Sequence, residues 1–184
     1  NLEWNNIEGI IPLSINNLSK LKKVWLGNNN ITGSIPIEFS SCRSLTRLDL
    51  SGNSLEGSIP IELMYLDSLE VLWLPGNKLS GNIPSEIGKM KKLKQLWLQA
   101  NRLQGEIPKE IGDLLDINEL ELSRNRLRGE TPVEIGNLST LRTLYINDNQ
   151  LEGRLPSELV NLVNLEIIYV NNNNFQGIFP VALN

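Results

Sequence analysis

The sequence predicts a parallel-β solenoid, and three observations carry that prediction. Asparagine recurs at positions 5, 29, 53, 77, 101, 125, 149 and 173, always 24 residues apart. Eight glycines keep the same step (Gly9, Gly33, Gly57, Gly81, Gly105, Gly129, Gly153, Gly177), as do eight prolines (Pro12, Pro36, Pro60, Pro84, Pro108, Pro132, Pro156, Pro180). Within each period a short run alternates apolar and variable residues, as in Val71-Leu72-Trp73-Leu74-Pro75. A fixed period of about 20–50 residues means stacked repeats, and short alternation marks a half-buried strand. Identical strands one period apart then lie parallel, about 4.8 Å from each other.

Numbering each period from its first leucine gives L-x-x-L-x-L-x-x-N-x-L-x-G-x-I-P-x-E-I-G-x-L-x-x. Full units run over 21–44, 45–68, 69–92, 93–116, 117–140 and 141–164, with partial units at 1–20 and 165–184. Together they read as one domain, 1–184, in which each unit touches only its neighbours. On the strand, the leucines at places 4 and 6 face the core and places 3, 5 and 7 face outward. The asparagine at place 9 ends the strand, and its amide can satisfy backbone groups left open where the chain turns. In register, Asn5, Asn29, Asn53, Asn77, Asn101, Asn125, Asn149 and Asn173 form a buried ladder. Glycine at place 13 suits a tight bend or a close backbone approach. Proline at place 16 suits the first turn of a short helix. The glutamates two residues later (Glu38, Glu62, Glu86, Glu110, Glu134, Glu158) favour a helix start, which reads as structural rather than as a cation site. Cys42 takes a slot that is otherwise mostly apolar and reads as a buried core thiol.

These residues resemble the leucine-rich repeat family, and the stretch Leu79-Ser-Gly-Asn-Ile-Pro84 is similar to its plant-type subclass. The resemblance covers the whole chain. It implies an α/β fold class: a right-handed solenoid with a concave parallel β-sheet and short 3-10 or α turns on the convex side. It also implies kinship with receptor kinase ectodomains, receptor-like proteins and polygalacturonase inhibitors, most of which bind peptides, proteins or co-receptors. Thr131 departs from the pattern at place 15, where isoleucine is usual. The family's capping modules often carry paired cysteines, whereas here Cys42 is alone. The chain therefore reads as a segment of a longer array.

Composition narrows the function. Seventeen basic and 21 acidic residues leave a net charge of -4, too mild to argue for nucleic acid or an anionic membrane surface. No run of 18 apolar residues occurs, so no direct membrane insertion of this segment is expected. There is no histidine, which removes the commonest general base and metal ligand. Nucleophile elbows, phosphate loops and cysteine-based metal spacings are also missing. The expectation is a non-enzymatic chain without cofactor or metal, and the sequence does not fix its oligomeric state.

Function is thus left to the variable places. Place 5 reads Trp25, Asp49, Trp73, Trp97, Glu121, Tyr145 and Tyr169, which takes three of the four tryptophans and two of the three tyrosines. An outward row of this kind favours stacking across strands, and it can serve stability alone. It is also the kind of apolar patch that marks interaction sites, built from residue types enriched at binding hot spots. Small neighbours at place 8 (Gly76, Ala100) are expected to leave the ring faces of Trp73 and Trp97 open. Lys23, Arg47, Gln99 and Arg124 complete the candidate ligand-binding set as polar flanks. Lys78, Arg102 and Arg126 form a basic run at place 10, read as solvated charge where the strand ends. Asn17, Asn30 and Asn137 head glycosylation sequons, a number the chain's asparagine content explains by chance. The favoured reading is peptide or protein recognition on the concave face of an extracellular or cell-surface protein. The alternatives are a cytoplasmic repeat scaffold within a multidomain signalling protein, and a carbohydrate-binding solenoid.

Overall fold

The computed structural model describes residues 1–180. Among them, seven three-residue strands form the inner sheet: Lys23–Trp25, Arg47–Asp49, Val71–Trp73, Gln95–Trp97, Glu119–Glu121, Thr143–Tyr145 and Ile167–Tyr169. Each pairs in parallel with its counterpart one period on, so that Trp25 faces Asp49, Asp49 faces Trp73, and Trp73 faces Trp97. Every place of the repeat therefore forms a straight column across this sheet.

On the opposite side run seven turns: Leu13–Asn17, Ile37–Ser41, Ile61–Tyr65, Ser85–Lys89, Lys109–Asp113, Val133–Asn137 and Ser157–Asn161. All are 3-10 helices, and no α-helix occurs among the described residues. Each is five residues long and closes through short-range bonds such as Ile87 N to Pro84 O (3.0 Å) and Met90 N to Ile87 O (3.0 Å). That length leaves little room for the i to i+4 ladder of an α-helix. The proline of place 16 stands just before the turn rather than inside it, with φ −62° and an extended ψ of 136° at Pro84.

A second sheet was not read from the sequence. Eight outer strands run beside them, the first starting at place 12 and the other seven at place 10 of their units: Glu8–Ile10, Asn30–Gly33, Ser54–Gly57, Lys78–Gly81, Arg102–Gly105, Arg126–Glu130, Gln150–Gly153 and Asn174–Phe175. They are parallel too, but their partners lie 22 residues apart, as in Glu8 with Asn30, Glu56 with Lys78 and Gln104 with Arg126. The basic run Lys78, Arg102 and Arg126 thus opens these strands instead of trailing off the inner ones. The signal was the alternation N-x-L-x-G: Leu55, Leu79 and Leu103 are fully buried while their neighbours at place 12 point away.

Between the sheets and turns lies one continuous core of leucines and isoleucines, with Phe39 at place 19 and Cys42 and Met90 at place 22 in slots those residues otherwise take, and Met64 joining from place 20. Each fully buried leucine contributes roughly 1.5–3 kcal/mol relative to exposure. The asparagines tie the layers together. The Asn77 amide donates to the carbonyls of Leu74 (3.1 Å), Pro75 (3.3 Å) and, one period back, Leu50 (3.0 Å). Its oxygen accepts from the Leu55 amide of the preceding outer strand at 2.9 Å. One side chain thereby holds both sheets and two repeats. Asn29, Asn77 and Asn125 are buried, the asparagines between them partly so, and Asn5 is exposed.

Two backbone positions explain further residue choices. At place 20, glycine lets successive turns close on one another, since a Cβ on Gly112 would lie 2.4 Å from the Glu134 carbonyl oxygen. At place 8 the backbone is left-handed in every repeat, with φ between 53° and 65°. Gly52, Gly76, Asn28, Asp148 and Asn172 suit that conformation. Ala100, Arg124 and Trp4 adopt it as well. The glycines, asparagines and aspartate of place 8 therefore have a backbone reason to be there, independent of the rings beside them.

Candidate ligand-binding site

The in-register pairing brings Trp25, Asp49, Trp73, Trp97, Glu121, Tyr145 and Tyr169 into one line on the inner sheet. Where two aromatics are adjacent they stack: Trp73 on Trp97 with centroids 4.5 Å apart, and Tyr145 on Tyr169 at 5.1 Å, both with planes 13° apart. The facing surfaces of Trp73 and Trp97 are consequently covered by each other, contrary to the expectation of open ring faces. On its other side Trp73 meets Arg47, whose guanidinium carbon lies 5.6 Å from its ring centroid and 5.9 Å from that of Trp25. Lys23 stands 6.0 Å from the Trp25 ring.

The acidic members of the column are anchored. Asp49 is only 2% exposed and accepts a hydrogen bond from the Ser51 amide at 2.9 Å. It forms a floor between two tryptophans rather than an open contact. Glu121 accepts from the Ser123 amide at 3.0 Å in the same way. Burial raises its carboxyl above the usual range, opposed by its bonds from Ser123 and by the charge of Arg124. Burial likewise raises the Tyr145 hydroxyl, helped by Tyr169 and the two nearby carboxylates.

Glu119, at place 3, accepts from the Trp97 indole (3.1 Å) and from the Gln95 amide (2.9 Å). Gln95 was not singled out in the sequence. The residue 22 positions after Trp73 is this same Gln95, which has given its amide to Glu119, and the buried Trp73 indole nitrogen finds no partner among the described residues. Gln99 is half-buried with its side-chain oxygen enclosed and unpaired. Arg124 extends into solvent and pairs with Asp148 at 3.9 Å.

Three lysines elsewhere have close side-chain partners. Lys94 pairs with Glu70 at 2.9 Å, Lys91 with Asp113 at 3.6 Å, and Lys89 lies 4.2 Å over the Tyr65 ring. Asn17, Asn30 and Asn137 are all exposed, with Asn17 and Asn137 at the ends of 3-10 turns. Cys42 is enclosed, its thiol near the Ile15 carbonyl at 3.4 Å and its acidity suppressed by burial. No helix among the described residues is long and apolar enough to cross a membrane.

Two parallel sheets and 3-10 turns, closed over a leucine core by an asparagine ladder, define a repeat solenoid. The chain belongs to the leucine-rich repeat family: the Leucine rich repeat pattern matches residues 1–55, and single-repeat patterns match 68–90, 92–114, 116–138, 140–162 and 164–184. No match was found among curated proteins. Among solved structures it is similar to the plant peptide hormone receptor RGFR1 in complex with RGF2 (38% identity, TM-score 0.93, covering 94% of this chain and 28% of that one). It is also similar to PEPR1-AtPEP1 (39%, 0.93, 95% and 25%). A third is the ectodomain of the Arabidopsis receptor kinase HAESA with an N-terminally extended IDA peptide hormone (37%, 0.94, 98% and 30%). The chain thus spans less than a third of the length of these receptors.

Proposed function

We propose that this chain is a non-enzymatic recognition module that holds a peptide or protein segment along its inner sheet, at the cell surface or outside the cell. The observation that carries this reading is the straight column of stacked Trp73–Trp97 and Tyr145–Tyr169 pairs. Such rigid aromatic platforms present large contact area whose geometry is fixed before a ligand arrives, so little ordering is needed on binding. The similar receptors were solved with peptide hormones, which supports a peptide as the ligand class. Trp25, Trp73, Trp97, Tyr145 and Tyr169 are the proposed anchors, with Lys23, Arg47, Gln99 and Arg124 at the rim and Glu121 as a polar selector. Asp49 acts beneath the surface, shaping the space between its two tryptophans.

The test is selection of binders from a displayed library of linear peptides, followed by affinity measurement on the Trp73→Ala, Trp97→Ala double variant. Binding should fall by at least about 30-fold, the equivalent of roughly 2 kcal/mol typical of hot-spot loss. Selected peptides that bind the folded double variant undiminished would refute the concave-face reading.

A further inference from the structure

The acids at place 5 are not scattered. Each falls between two aromatics: Asp49 between Trp25 and Trp73, and Glu121 between Trp97 and Tyr145. In both gaps the flanking rings stand two strands apart, about 10 Å at the usual spacing. Adjacent rings in this column stack at 4.5 Å, so each gap admits one further flat or slender group. Each gap has aromatic walls and a carboxylate held by the amide two residues on, Ser51 in the first and Ser123 in the second.

The first gap already has a tenant. Arg47, from the same strand as Asp49, places its guanidinium within 6 Å of both tryptophan centroids, the distance at which a cation is attracted to a ring face. In the second gap the equivalent place-3 residue is Glu119, of opposite charge and committed to Trp97 and Gln95. Among the described residues no ion pair reaches Glu119 or Glu121. Arg124, the nearby cation, pairs with Asp148 instead. The chain therefore fills one aromatic-walled acidic gap with its own arginine and leaves its counterpart, three repeats away, with two carboxyl side chains that no ion pair reaches among the described residues.

We propose that the gap between Trp97 and Tyr145 over Glu121 is a slot for one guanidinium or ammonium group of an extended peptide ligand. This deepens the concave-face reading and rests on it. The Arg47 arrangement is the internal template for how the slot is filled, and the occupant is an arginine or lysine side chain. Charge complementarity with Glu119 and Glu121 selects a cation over a neutral or acidic group, and the ring faces add the cation–π attraction.

The probes are N-acetyl-arginine methylamide and its neutral citrulline analogue, titrated against the chain while the tryptophan indole N–H resonances are followed. The arginine probe should shift the Trp97 signal saturably, with citrulline at least about tenfold weaker. Glu121→Gln should weaken the arginine response about tenfold while the indole signals of the free protein stay in place. Arg47→Ala should open the first gap, so that Trp25 and Trp73 signals now titrate as well. Equal responses to arginine and citrulline, no response of Trp97, or an unchanged titration in Glu121→Gln would each overturn the slot. A library-selected peptide that needs Trp97 yet tolerates Glu121→Gln overturns the slot while the concave-face reading stands. Library-selected peptides that bind the double tryptophan variant undiminished overturn the reading itself.

Discussion

The inner and outer sheets are made from the same 24-residue period, yet they align it differently. On the inner sheet like places meet, so Trp73 pairs with Trp97 and Tyr145 with Tyr169. On the outer sheet the register slips by two residues per repeat, so place 12 meets place 10 of the next unit and Glu56 lies beside Lys78. In-register pairing concentrates a residue type into a stripe that an extended ligand can follow. Staggered pairing mixes types and disperses any stripe into short diagonals. The same periodic sequence thus makes one face suited to selective contact and another suited to solvent.

The asparagine ladder is what lets two registers coexist, and removing a rung should have the largest effect. Asn77→Ala strips the fourfold link between the inner carbonyls and the Leu55 amide. Orphaned buried polar groups cost about 1–3 kcal/mol each, and some of these carbonyls keep a second partner, so a loss of about 3–5 kcal/mol in denaturant unfolding is expected. Asn5→Ala, at an exposed site with bonds only to its own loop, should stay within about 0.5 kcal/mol. Hydrogen exchange sharpens the test: the Leu55 amide should lose protection before the amides of the inner strands. Equal costs for the two variants would show that the ladder does not join the sheets.

A smaller effect should appear on the inner column alone. Burial raises the Glu121 carboxyl in the folded state, so the folded chain holds this proton more tightly than the unfolded chain does. The group's contribution is then most favourable in acid and declines as pH rises from about its ordinary value of 4.5 through the raised folded value. Glu121→Gln removes that decline. Thermal unfolding at pH 4 and pH 7 should show a smaller fall toward neutrality in the variant than in the parent. A fall of the same size in both would mean that Glu121 is as well solvated folded as unfolded.

Much of this was legible in the residues because the period is strict. The inner sheet, the ladder, the turns and the aromatic column all follow from counting by 24, since identical local sequence must occupy identical local structure. The outer sheet was missed because its strands carry at most one buried residue each, such as Leu79, flanked by exposed Lys78 and half-buried Ser80 and Gly81, which reads as a turn. Its stagger is a property of pairing and leaves no mark within one repeat. Asp49 was placed on the binding surface by its column, but whether a short carboxylate reaches past two tryptophans depends on the neighbouring rings. The network of Gln95, Glu119 and Trp97 joins residues 22 and 24 positions apart, and nothing in any one segment announces it.

Place 8 offers the finest test, because it lies at the end of the inner strand where the two registers part. The backbone must be left-handed there whatever the side chain, with φ 65° at Gly76 and 55° at Ala100 in successive repeats. An L-residue carrying a Cβ is strained by about 1–2 kcal/mol in this region, while glycine loses more conformational freedom on folding, by roughly 0.5–1 kcal/mol relative to alanine. The first term exceeds the second, so Ala100→Gly should stabilise the chain by about 0.5–1 kcal/mol, and Gly76→Ala should destabilise it by a similar amount. Both sites lie beside the Trp73–Trp97 stack, so the indole resonances should stay in place if the change is confined to the backbone. Destabilisation by Ala100→Gly would mean that the alanine methyl contributes packing that outweighs its strain, and that the turn between the sheets tolerates a side chain for a reason other than necessity.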